Sequence, residues 1–70
     1  MEKDTLLVIM REMEVSEQRA ADLCGISLST FKSRLEGKTE FMLCEIELLS
    51  RALLLDKNQI EFIFFGQKVS

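Results

Sequence analysis

Seventy residues with a formal net charge of -3, 47% of them hydrophobic and 30% charged, have the balance of one small globular domain rather than of a disordered polar segment. A chain of this size hides only about 60% of the surface its unfolded form exposes, so its core must be built from few side chains. No apolar run approaches the roughly 18 residues of a membrane span, and the N-terminus shows no secretory pattern, so the chain is expected to be soluble, unprocessed and cytoplasmic.

Two cysteines, Cys24 and Cys44, and no histidine leave neither a Cys/His zinc site nor a cysteine-histidine nucleophile to assemble. Both thiols sit among helix-spaced apolar neighbours and are expected to be free and mostly buried. Carboxylates are present, but none falls in a recognisable acid/base or metal constellation, and there is no Gly-rich phosphate loop. The expectation is therefore no catalytic residue, no cofactor and no enzymatic activity.

In chain order, Leu6, Ile9, Met10 and Met13 recur at helical spacing behind Asp4, a candidate N-cap, and predict a first helix over residues 5–14. Ser16 caps a second over 17–24, which places Ala20, Ala21 and Cys24 on one face before Gly25 closes it in the left-handed conformation. Ser27 caps a third helix over 28–36. Ile26 just before that cap is in register with Phe31, the spacing of a hydrophobic staple. Phe31 and Leu35 point inward, Leu28, Ser29, Lys32 and Ser33 face outward, and Gly37 ends the helix. A fourth helix over about 43–54 carries Ile46, Leu49 and Leu53 on one side. Asp56 and Gln59 resemble a capping pair for a fifth holding Ile60, Ile63 and Phe64, although "IEFIFF" also alternates as a strand would. The fold class is all-α with five helices in a single domain spanning 1–70.

Two short helices joined through Gly25, Ile26 and Ser27 form the pattern of a helix-turn-helix over about 16–36. Ala21 is small enough to let the next helix approach, Gly25 permits the reversal, Ile26 plugs the junction, and the outer side of the next helix is left without bulky apolar groups. Such a face can enter a groove.

At these residues "SEQRAADLCGISLSTFKSRLEGK" resembles the helix-turn-helix of the lambda-repressor-like family, the Cro and Xre group of phage and bacterial regulators. Its members commonly read S/T-Q-x-x-L-A-x-x-x-G-I-S-x-S-T-x-S. "EFMLCEIELLSRALLL" and "IEFIFFGQKVS" are similar to the fourth and fifth helices of small phage-type members, so the likeness covers nearly the whole chain. The resemblance implies a transcriptional regulator, a Cro-like or phage-type repressor, in a bacterial or phage-infected cell. Its third helix would lie in the major groove of operator DNA, N-terminal end at the base edges. Leu28, Ser29, Thr30, Lys32 and Ser33 would face bases, Ser16, Glu17, Gln18 and Ser27 would lie at the phosphate-facing helix starts, and Arg34, Lys38 and Thr39 would meet the backbone. Leu28 has two readings, contact with a thymine methyl or local packing. The pattern departs in three places. Glu17 stands where Gln is usual and would repel phosphate unless it turns away or Gln18 substitutes. Ala20 stands for a leucine, a loss that Leu23 is placed to offset, and Met42 stands for a Thr N-cap ahead of Glu45.

Charge is distributed unevenly. Residues 26–39 hold Lys32, Arg34 and Lys38 against Glu36, net +2, whereas residues 1–25 carry net -3 and residues 40–70 net -2. Screening beyond about 8 Å lets a positive strip on a negative body bind a polyanion locally. Three cations per subunit predict a log-log salt slope of about -5 for a dimer. Met10, Met13, Phe41 and residues 62–65 read as core. The apolar residues near the C-terminus nevertheless exceed what one short helix can bury, and Ile60, Phe62, Ile63, Phe64 and Phe65 are the expected homodimer surface. The alternative reading is a protein-interaction module on the same fold, antitoxin-like or a repressor partner, with little or no DNA binding.

Overall fold

The computed structural model describes residues 1–66 and consists of five helices with no strand among the described residues: α1 (Lys3–Glu12), α2 (Glu17–Cys24), α3 (Leu28–Leu35), α4 (Leu43–Leu53) and α5 (Lys57–Phe64). The Gln67–Ser70 tail, part of the fifth-helix likeness, lies outside the described residues. No helix among them is long and apolar enough to cross a membrane.

Helix α2 is the hub, packed against α3 on one side and α4 on another, while α5 lies across α1 and α4. One core joins Leu6 and Met10 of α1, Ala20, Ala21 and Cys24 of α2, Phe31 and Leu35 of α3, Leu49 and Leu53 of α4, and Ile63 of α5. Phe41, in the α3–α4 loop, stacks edge-to-face with both Phe31 (5.7 Å) and Phe64 (5.4 Å), which extends that core under the loop.

Three of the predicted caps form. Ser16 Oγ accepts the Arg19 N–H (3.0 Å), Ser27 Oγ accepts the Thr30 N–H (3.1 Å), and Asp56 and Gln59 satisfy each other's backbone N–H groups at 2.8 and 2.9 Å. That reciprocal box decides between helix and strand for residues 57–64. A strand would put Phe62 and Phe64 on one side; the helix instead turns Ile63 fully into the core and leaves Phe62 half in solvent. The first helix differs from its predicted start. It begins at Lys3, because the Glu2 N–H is held by the Ile63 carbonyl (2.9 Å), and Asp4 sits in the first turn, where its charge meets the helix dipole, rather than at the cap.

The helix ends show a regularity that glycine counting does not reveal. Gly25 (φ 75°) closes α2 and Gly37 (φ 81°) follows α3, yet Glu14 (φ 59°) and Leu54 (φ 57°) occupy the same left-handed position after α1 and α4. In each of the latter two the next amide reaches back, Val15 N–H to the Met10 carbonyl (2.8 Å) and Leu55 N–H to the Ser50 carbonyl (2.9 Å). Leu54 is 77% exposed, so its side chain gains little from burial to offset the backbone cost. Leu54→Gly should therefore raise the stability measured by urea unfolding at low protein concentration by about 1 kcal/mol; an equal loss would show that Leu54 is held by contacts other than its own turn.

Candidate nucleic-acid interface

The residues read from sequence as a DNA-facing surface divide into three groups. The first consists of residues at the starts of α2 and α3 whose polar side chains are already engaged locally. Ser16 and Ser27 cap α2 and α3, and the Ser27 hydroxyl also donates to Thr30 Oγ1 (2.9 Å), so Ser27 and Thr30 hold each other at the start of α3. Gln18 Nε2 donates to Asp22 Oδ1 (3.1 Å), one turn along α2. Gln18 therefore braces its own helix.

The second group forms a continuous surface. Leu28, Ser29, Lys32 and Ser33 of α3 border one shallow depression of about 390 Å³ together with Glu36 and Lys38. Ser29 and Lys32 are exposed and Leu28 and Ser33 half-buried, and Leu28 is not among the apolar side chains packed on the core. Phe31 and Leu35 hold the opposite side of α3 in the core, so helical geometry keeps these four outward. Lys38 pairs with Glu36 at 3.3 Å, an exposed contact that water and salt weaken to a fraction of a kcal/mol. Glu17 is half-buried. With Lys3, Leu7, Lys32, Leu35 and Glu36 it borders an adjoining hollow of about 230 Å³, in which its carboxylate is accompanied by two lysines.

Arg34 and Thr39 make the third group and lie elsewhere. Arg34 is not an outward cation. Its Nε lies 2.7 Å from Glu45 Oε1 and its Nη2 3.1 Å from Oε2, while Nη1 donates to Thr39 Oγ1 (3.0 Å) and to the Glu40 carbonyl (3.3 Å). The two side chains are 14% and 4% exposed. A carboxylate buried to that extent must be paired, and the guanidinium supplies one hydrogen bond from Nη2 and a close charge contact from Nε that lacks hydrogen-bond geometry, which is why Arg34 turns inward. Glu45 was legible only as a member of a capping box. Its Oε1 does accept the Met42 N–H (3.0 Å), while Met42 contributes no side-chain cap, the half-box expected from a methionine at that position.

Four further placements differ from those expected. Cys44 is exposed on α4 and only Cys24 is buried; both are free. Met13, Phe62 and Phe65 are exposed rather than core. Among the five residues expected at a dimer surface, Ile63 is core and Ile60 and Phe64 are half-buried, which leaves Phe62 and Phe65. The exposed apolar surface is centred instead between α4 and α5, where Leu43, Ile46, Leu54, Leu55, Ile60 and Phe65 border an open groove of about 710 Å³. Leu23 is half-buried and lies apart from the core, so it does not replace the volume that Ala20 gives up. The residues described contain no cluster of three or more metal-ligating side chains.

Comparison of the chain with protein-family models, with curated proteins and with solved structures finds no match in any of the three.

The two thiols differ in burial. Burial pushes the Cys24 thiol from 9.0 up to about 11, with the Glu45 carboxylate adding to the shift, and its Sγ donates to the Glu45 carbonyl at 3.7 Å. Because the folded state holds this proton more tightly than the unfolded chain, the associated stability is fully present below pH 9 and is lost as the pH rises toward about 11. At pH 8, iodoacetamide should alkylate Cys44 and spare Cys24 in the native protein and modify both in urea, as read by mass spectrometry. Equal native rates at the two positions would contradict the burial of Cys24.

Proposed function

We propose that this protein is a sequence-specific DNA-binding transcriptional regulator of the lambda-repressor-like helix-turn-helix kind, a repressor that sets α3 in the major groove and acts as a dimer in the bacterial cytoplasm. The observation that carries this reading is the uncovered outer side of α3. Ser29 and Lys32 stand free on it, flanked by Leu28 and Ser33, on a helix that follows α2 through a three-residue turn.

In this reading Lys32 and Ser33 read base edges, Ser29 supports them, and Leu28 supplies an apolar contact of the kind that suits a thymine methyl. Lys38, beyond the end of α3, neutralises phosphate. A subunit with extents of 36 × 25 × 20 Å is of the right size for two copies to place their third helices one DNA turn, about 34 Å, apart. The dimer contact then falls on the α4–α5 groove and on Phe62 and Phe65.

Local charge is nearly balanced on this face, with Lys32 and Lys38 set against Glu36 and Glu17. Affinity therefore depends on fit more than on bulk attraction, and nonspecific binding is weak. With Arg34 committed to Glu45, two cations per subunit remain to displace counterions, Lys38 at the backbone and Lys32 from within the groove, so the dimer's log-log salt slope becomes about -3.6 rather than -5. A second reading is favoured by the same α4–α5 groove, whose Leu43 and Leu54 are 72% and 77% exposed: a module that holds a partner protein and leaves DNA alone.

Electrophoretic mobility shift separates the two. Against a duplex selected from a random pool, the parent should bind with a slope near -3.6, and Lys32→Glu should weaken binding at least tenfold at 100 mM salt. Negligible shifts for both proteins, even on random duplex at low salt, would favour the interaction module.

A further inference from the structure

Helices α3 and α4 each pack on α2 but share little packing with one another. What ties them directly is one guanidinium. Arg34, in the last turn of α3, reaches across to Glu45 in the first turn of α4. On the way it is held by Thr39 and the Glu40 carbonyl in the loop between. Glu45 completes the set by accepting the Met42 N–H, so the end of α3, the loop and the start of α4 meet at one carboxylate.

We propose that Arg34 is a positioning residue. Clamped by Glu45, it fixes the direction of α3 and the path of residues 36–42 relative to α4, and so determines where Lys32, Ser33 and Lys38 meet the duplex without touching the duplex itself. The inference rests on the DNA-binding reading for its functional consequence, though not for its geometry.

The chemistry favours a clamp over a phosphate contact. Guanidinium donors sit in a rigid planar fork, and here the two Nη nitrogens donate to Thr39 Oγ1, the Glu40 carbonyl and Glu45 Oε2, while Nε lies 2.7 Å from Glu45 Oε1 as a charge contact without hydrogen-bond geometry. A lysine at the same place would bring a point charge on a flexible stem and could not span the carboxylate, a hydroxyl and a carbonyl together. Burial also shields the pair from salt, so the clamp persists under conditions that weaken exposed phosphate contacts.

The two roles predict opposite signs for one substitution. Were Arg34 a phosphate contact restrained by Glu45, removing the carboxylate charge would free it, tighten binding and steepen the salt slope by about 0.9 per subunit. As a clamp, loss of that charge must weaken binding and leave the slope alone. Glu45→Gln keeps the side chain's shape and its capping oxygen. Arg34→Lys keeps the charge and removes the fork.

The test uses the full chain. Circular dichroism at 222 nm establishes folding, and affinity for the selected duplex is measured from 50 to 200 mM salt. Both variants should bind at least tenfold more weakly with the parent's slope, while Lys32→Gln flattens the slope and serves as the reference. Tighter or steeper binding by Glu45→Gln, or parental binding by Arg34→Lys, overturns the proposal. Residual dipolar couplings of the free protein give a DNA-independent arm: α3 should turn relative to α4 in either variant, and an unchanged orientation overturns the clamp. If the parent binds no duplex, the DNA-binding reading fails and the dipolar couplings alone decide. If Glu45→Gln does not fold, Arg34→Lys carries both arms.

Discussion

The close approach of α3 and α4 to α2 is the constraint on which this fold depends. It is made possible by Ala20 and Ala21, both fully buried and both presenting only a methyl group. Helices approach as closely as the side chains at their contact permit, and methyl groups permit close approach on two sides of a helix only eight residues long. With α2 so narrow, Phe31 and Leu35 suffice to anchor α3, and no residue on its outer side is drafted into the core. An uncovered helix face in so small a domain is thus a consequence of small residues on the neighbouring helix.

Electrostatics divide along the same line. Three cations fall between residues 26 and 39 of an acidic chain, and the fold gives each a different surrounding. Lys32 stands on the open face, Lys38 leans on Glu36 in solvent, and Arg34 is withdrawn to neutralise a buried carboxylate. A positive strip in the sequence is therefore not a positive strip on the surface. Burying Glu45 unpaired would be far more costly than losing one exposed cation, so the fold satisfies the buried charge first.

Much of this architecture is legible in the sequence because its signals are local. Ser16, Ser27 and the Asp56–Gln59 pair announce helix starts through contacts three residues away, and Gly25 and Gly37 announce two helix ends by permitting positive φ. Helix ends at Glu14 and Leu54 are less legible, since neither residue type favours the left-handed conformation, and the amides that reach back to the Met10 and Ser50 carbonyls leave no mark in residue type. The third-helix surface followed from Phe31 and Leu35 four residues apart. The inward turn of Arg34 depends on Glu45, eleven positions away, and spacing along the chain gives no sign of such a pair. For the same reason the division of the C-terminal apolar residues between core and surface is not legible along the chain. Only the packing of α5 across α1 and α4 shows that Ile63 is inside and that Leu43 and Leu54 border the open groove.

The central claim is that the outer side of α3 is bare so that duplex DNA can cover it. Titration of the ¹⁵N-labelled protein with its selected duplex, followed by amide chemical shifts, measures this residue by residue. The account predicts changes concentrated at Leu28, Ser29, Lys32, Ser33 and Lys38, with the amides of α1 largely unmoved. Changes confined to the groove between α4 and α5, or none at any duplex concentration, would contradict it.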